Sequence, residues 1–174
     1  MWLDILLNKD NNLITVRLAT QHDWDSIWPF FKSIVRAGET YAFDTQISRL
    51  DALDLWVKNP RETYVVEEQG KILGSYYLKT NFQGNAAHTC NCGFMVASEA
   101  RGKGVASLMC EHSQQRAIEL GYKAMQFNFV VSTNEGAVRL WKKLGFNIVG
   151  SVPKAFNHPA KGLVDAYVLH KWLV

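Results

Sequence analysis

The chain has 174 residues, a hydrophobic fraction of 48%, a charged fraction of 20% and a formal net charge of +3. This is enough chain for one ordinary domain with a sizeable core. The charge is too small and too scattered to argue for a nucleic-acid partner, and no apolar run approaches the roughly 20 residues that span a bilayer.

Taken in chain order, the stretch from Met1 to Leu7 is apolar but short, has no basic leader and carries Asp4. It does not read as a signal peptide. It reads as a small extra element or an interface strand, so residues 1–12 are expected to form an extension ahead of a domain spanning residues 13–174. Ile14, Val16 and Leu18 alternate with Thr15 and Arg17, the pattern of a half-buried strand. A helix is expected from about Asp23 to Ala37, stopped by Gly38, and a second from Ser48 to Lys58, closed by Asn59-Pro60. Thr63 to Glu67 and Ile72 to Lys79 read as strands joined at Gln69-Gly70, and another strand runs from Ala87 to Val96.

A glycine-rich turn, Arg101-Gly-Lys-Gly-Val-Ala106, then leads into a helix reaching Leu120. Val105, Leu108, Met109, Ala117 and Leu120 share one stripe of that helix, which must therefore pack on a sheet. Ala124 to Val131 is a strand, and Ala137, Leu140, Trp141 and Leu144 make one face of a shorter helix ended by Gly145. Phe146 to Val152 and Asp165 to Trp172 are the last two strands. One mixed sheet flanked by helices accounts for this order, an α/β fold.

The glycine turn is the feature that bears chemistry. Successive N–H groups in such a turn form an anion nest, and the following helix adds its free N–H groups and the positive end of its dipole. Gly102 and Gly104 permit backbone angles closed to other residues and let a phosphate come close. A plain strand-to-helix turn fits the same residues. Two commoner nucleotide motifs are absent: there is no Gly-x-x-x-x-Gly-Lys-Ser/Thr, and Ser107 stands where a dinucleotide fingerprint needs its third glycine.

Arg101-x-x-Gly104-x-Ala106 resembles the Q/R-x-x-G-x-G/A pyrophosphate loop of the GNAT acetyltransferases, and Phe94-Met-Val96 before it is similar to the strand that pairs with the pantetheine arm. Further on, Asn134-Glu-Gly-Ala137 and Leu140-Trp-Lys-Lys-Leu-Gly-Phe146 resemble the family's second signature, N-x-x-A followed by L-Y-x-x-L-G-F. The resemblance runs from Ile14 to Leu173, and the Glu39-Thr-Tyr-Ala-Phe43 loop with the C-terminal half is most similar to the phosphinothricin-acetyltransferase-like branch. It implies a GNAT fold, a single mixed sheet of six or seven strands flanked by helices.

The resemblance also implies an N-acetyltransferase that moves acetyl from acetyl-CoA to a primary amine of a small or amino-acid-like acceptor, by direct attack in a ternary complex. The cosubstrate would be held by Phe94, Met95, Val96, Arg101, Gly102, Lys103, Gly104, Val105, Ala106, Ser107 and Asn134. Relatives often form homodimers. A protein or peptide N-acetyltransferase and a non-catalytic acyl-CoA-binding module are the alternatives. A closed pocket between the Glu39 loop and the Pro153 to Gly162 segment would favour a small acceptor, and a wide groove a peptide.

Two departures stand out. Asn91 occupies the strand position where the branch often carries Glu as general base, and Trp141 the place where many relatives have Tyr or His as general acid. An indole N–H is a donor but no usable acid. The catalytic candidates are therefore Asn91, Glu39 and Tyr41. Asn91 either positions water or the acceptor amine, or is a satisfied polar residue within a sheet. Glu39 is a water-mediated base, a binder of the acceptor ammonium, or a solvated loop carboxylate. Tyr41 packs or shapes the pocket rather than supplying a proton.

Cys90 and Cys92 alternate away from the face of Asn91 and belong to the core. With Cys110 they are odd in number and lack Cys/His companions at zinc spacing, so reduced thiols in a cytoplasmic protein and no metal are expected. His88 is expected at the surface, His112 in the core, and Lys154, His158 and Lys161 in an exposed loop that often borders the substrate site in relatives.

Overall fold

Among the described residues the shortest ladder of the sheet is its parallel pair, and that pair positions the site. The computed structural model describes residues 4–7 and 13–174; Met1 to Leu3 of the apolar opening lie outside them. The elements are β1 (Asp4–Leu7), β2 (Leu13–Leu18), α1 (Trp24–Ala37), α2 (Arg49–Leu53), β3 (Glu62–Glu68), β4 (Lys71–Thr80) and β5 (Thr89–Val96). They continue with α3 (Val105–Glu119), β6 (Ala124–Val131), α4 (Glu135–Lys143), β7 (Asn147–His158) and β8 (Gly162–Trp172). The strands lie in the order β1-β2-β3-β4-β5-β6-β8-β7. Strands β2 to β8 supply the expected seven, and β1 adds an eighth at the edge, antiparallel to β2.

Every pairing is antiparallel except β5 with β6. That parallel ladder holds only Thr89↔Ala124 and Cys90↔Met125. Beyond Cys90 the two strands part. A side chain makes the last link: Asn91 Nδ2 donates to the carbonyl of Gln126 at 2.8 Å. Further along, the rings of Phe94, Phe127 and Trp141 line the gap, with centroids 5.0 Å (Phe94–Trp141), 5.3 Å (Phe127–Trp141) and 5.7 Å (Phe94–Phe127) apart.

The two faces of the sheet are covered differently. On one, α1 and α2 bury an aromatic cluster in which Trp56 meets Tyr77 edge-on at 4.9 Å and donates its indole N–H to Ser75 Oγ at 3.0 Å. On the other, α3 and α4 cover Tyr76, Phe94, Cys90 and Cys92. There the Tyr76 hydroxyl meets His112 Nδ1 at 2.5 Å; the histidine expected in the core is half-buried and partnered. Cys90, Cys92 and Cys110 are buried and unpaired; burial holds the Cys92 thiol well above its usual range and Cys110 at about 12. His88 is exposed, as expected.

Three boundaries differ from the sequence pattern. The second helix is α-helical only from Arg49 to Leu53 and widens to a π-helical turn over Asp54–Lys58, because Asn59 N–H reaches back to the Asp54 carbonyl at 2.8 Å. The strand expected from Ala87 starts at Thr89, after a tight turn closed by Ala87 N–H on the Gly84 carbonyl at 3.0 Å. Strand β7 does not stop at Val152 but runs to His158. It passes a bulge where Lys154 takes φ 51° and its N–H bonds Asp165 Oδ1 at 2.9 Å. The expected loop is thus the outer end of a long hairpin, with His158 buried and its Nδ1 accepting from Ala160 N–H at 3.1 Å.

Candidate active site

Where β5 and β6 part, a cavity of about 830 Å³ opens. One end is the glycine turn. Gly102 and Gly104 adopt φ 75° and 82°, the left-handed region that favours glycine, and no atom lies within 4 Å of where a Cβ would stand on either. The turn therefore faces open space. Gly104 caps α3, and the first intrahelical bond there is Leu108 N–H to the Gly104 carbonyl at 3.0 Å. Val105, Ala106 and Ser107 consequently have no preceding carbonyl to bond, and they present their N–H groups to the cavity mouth with the positive end of the helix dipole. This arrangement suits a pyrophosphate.

Arg101, Gly102, Gly104, Val105, Ala106 and Ser107 all line the cavity. So do Phe94, Met95 and Val96, along β5, and Asn134 from the far wall. Lys103 does not; it is exposed. Asn134 has a second task, since its side chain caps α4 by accepting from Ala137 N–H at 3.4 Å.

The other end of the cavity carries Glu39, Tyr41 and Asn91. Glu39 is exposed on its rim. The Tyr41 hydroxyl donates to the Phe94 carbonyl at 2.7 Å and accepts the Phe94 N–H at 3.0 Å, and its ring stacks on Phe43 at 5.0 Å. Burial raises the Tyr41 hydroxyl far above the usual tyrosine range, so it stays protonated and is a poor acid. Asn91 is buried and held at both ends of its amide, accepting from the Tyr77 hydroxyl at 3.2 Å and donating to Gln126. Two lone pairs and two protons leave it one of each for a water or an acceptor.

Tyr77 escaped the sequence reading. Its ring lies flat across Gly93, the residue opposite it in the ladder, and a glycine inside a strand is the signal that marks such a close approach. Lys79 and Asn128, also on the cavity wall, carry no sequence signal that separates them from ordinary surface residues. Trp141 lies in the floor as part of the ring wedge. The outer end of the β7–β8 hairpin, residues 153–162, does not reach the cavity; the wall facing the Glu39 loop comes instead from Asn128 to Val131. Lys154, His158 and Lys161 are therefore outside the site.

A strand edge opened beside a helix start with free N–H groups suits a ligand that joins an extended arm to an anionic group. Comparison with known proteins supplies the class of protein. The model of the acetyltransferase (GNAT) family matches residues 22–146, and the chain belongs to that family. It is 30% identical over 156 residues to N-acetyltransferase aca1 of Schizosaccharomyces pombe, covering 80% of this chain and 75% of the relative. Among solved structures, a GCN5-related N-acetyltransferase from Kribbella flavida is 43% identical with a TM-score of 0.88, over 92% of this chain and 98% of the other. A phosphinothricin acetyltransferase from Sinorhizobium meliloti, in complex with AcCoA, shares the fold at 21% identity and a TM-score of 0.81, covering 92% of this chain and 88% of its own.

Proposed function

We propose that this acetyltransferase moves the acetyl group of acetyl-CoA to a primary amine of a small or amino-acid-like acceptor, by direct attack within a ternary complex. The observation that carries the reading is the single cavity joining the glycine turn to the Glu39–Asn91 end along an open strand edge. Its volume of about 830 Å³ lies in the range of small-ligand sites, while the Pro153 to Gly162 segment that would close the acceptor end does not reach it. In this reading the pyrophosphate sits on the N–H groups from Gly102 to Ser107, and the pantetheine arm lies along Phe94 to Val96.

The chemistry sets the remaining roles. The acceptor nitrogen must be neutral to attack, whereas a free alkyl ammonium has a pKa of about 10.4. Its lone pair forms the C–N bond, the carbonyl becomes an oxyanion that preorganised N–H groups stabilise, and the C–S bond breaks. The thiol of the departing carrier has a pKa near about 8.5 and leaves as the thiolate without a dedicated acid, which accommodates Trp141. The nitrogen's proton passes to water held by the free valences of Asn91, with Glu39 as the carboxylate on that side. The unpaired, buried Cys90, Cys92 and Cys110 support a reducing, cytoplasmic setting.

The test is release of free CoA thiol from acetyl-CoA across a panel of primary amines, amino acids and peptides. We expect release with small amines. Release only with peptides moves the assignment to a peptide acceptor, and acetyl-CoA binding with no release on any acceptor leaves a binding module.

A further inference from the structure

The Phe94 backbone is already occupied. One hydroxyl, that of Tyr41, takes both its N–H (3.0 Å) and its carbonyl (2.7 Å). A phenol has one proton, so donating it to the carbonyl leaves only lone pairs for the N–H. The two bonds form a closed clip on the stretch of β5 that β6 has left unpaired. Every second residue of a strand presents its backbone groups to the same edge, so Cys92 and Val96 face the cavity on either side of the clip.

An extended amide chain adds to such an open edge as a further strand. The pantetheine arm is such a chain, and it ends in the thioester carbonyl. Laid from the glycine turn past Val96 toward Asn91, it meets the clip at Phe94. We propose that the Tyr41 hydroxyl stands in for the thioester carbonyl oxygen at the Phe94 amide in the donor-free enzyme, and is exchanged for it when the donor binds. The inference rests on the donor reading given above.

The exchange has a consequence at the acceptor end. The Tyr41 ring stacks on Phe43 at 5.0 Å and meets Trp56 edge-on at 6.1 Å, so moving its hydroxyl off Phe94 disturbs the packing of the loop that bears it. Glu39 is two residues away on that loop and forms the rim of the acceptor end. Donor binding therefore moves the acceptor wall.

Tyr41→Phe removes the clip and keeps the ring packing. Isothermal titration should show the variant binding acetyl-CoA roughly 3- to 30-fold more tightly than wild type, the scale of one or two hydrogen bonds no longer displaced. Adenosine 3′,5′-bisphosphate, which has no arm to lay along β5, should bind both proteins equally. In the free proteins, the Phe94 amide should exchange with solvent at least about tenfold faster in the variant. A wild type that binds acetyl-CoA and a folded variant that binds it no more tightly overturn the inference alone, as does a Phe94 amide exchanging equally slowly in both. A wild type that binds no acetyl-CoA overturns the donor reading itself.

Discussion

Adding one methyl group at Gly93 should damage this protein through a single ring. A Cβ there would stand 2.5 Å from Tyr77 Cε1, 2.9 Å from Cζ and 3.1 Å from the hydroxyl oxygen. Carbon atoms pack at about 3.5–4.0 Å, so the ring must retreat by about 1 Å. It has little room to do so: Tyr77 is 9% exposed and abuts Trp56, which is fully buried. Overpacking of this kind costs about 1–3 kcal/mol. Losing the Tyr77–Asn91 hydrogen bond adds about 0.5–1.5 kcal/mol, while alanine's better fit to strand backbone returns about 0.5–1 kcal/mol. The net expectation for Gly93→Ala is a loss of about 0.5–4 kcal/mol, centred near 2 kcal/mol, or a fall in Tm of roughly 4–8 °C at that centre for a chain of this size. Denaturant and thermal unfolding followed by circular dichroism measure both. In a Tyr77→Leu background, where the ring is gone, the same substitution should no longer cost stability and should gain about 0.5–1 kcal/mol. Equal cost in the two backgrounds, or a Gly93→Ala protein as stable as wild type, refutes the reasoning.

Three further outcomes are expected. Gly104→Val forces a β-branched residue to φ 82° without any clash, so the strain, about 1–3 kcal/mol, should disorder the anion turn alone; titration should show CoA binding at least about tenfold weaker in a folded protein, and near-normal affinity refutes the assignment. Glu39→Gln should lower kcat/KM by about 10²–10⁴-fold and remove the low-pH limb of the rate profile if its carboxylate accepts the proton; a raised KM with kcat unchanged would instead make it the binder of the acceptor ammonium. Asp23, hydrogen-bonded by Arg17, is held down at about 2. A depressed carboxylate stabilises the fold above its unfolded value of about 3.9, and that stability is lost as pH falls through about 2. With Arg17 one-third exposed, Asp23→Asn should cost about 1–2 kcal/mol at pH 7, and the difference from wild type should vanish near pH 2. Unfolding curves that coincide at pH 7 would show the pair to be inert.

The sequence announced what depends on neighbours along the chain. The stripe on α3, the glycine turn and the stop at Gly38 are local statements, because each is settled by backbone angles or a helical repeat within a few residues. The bulge in β7 was not legible, since Pro153 and Lys154 interrupt the alternation that marks a strand, and only pairing with Asp165 restores it. The link from Tyr77 through Asn91 to the Gln126 carbonyl needs the register of three strands at once, and its last partner is a backbone group that leaves no mark on residue identity. The clip of Tyr41 on Phe94 is hidden for the same reason. Lys103 belongs to the turn by position, yet it is exposed and does not line the cavity.

The short ladder between β5 and β6 also determines what kind of quantity the cleft width is. Hydrogen-bonded strands are locked at about 4.8 Å, a spacing no side chain alters. Past Cys90 no backbone ladder fixes that spacing, and the sheet is built as two rafts lashed at a single corner. The gap between them is set by shims, the rings of Phe94, Phe127 and Trp141. Its width is graded by side-chain volume rather than stepped by backbone pairing, so the opening can be retuned one ring at a time while both rafts keep their own ladders.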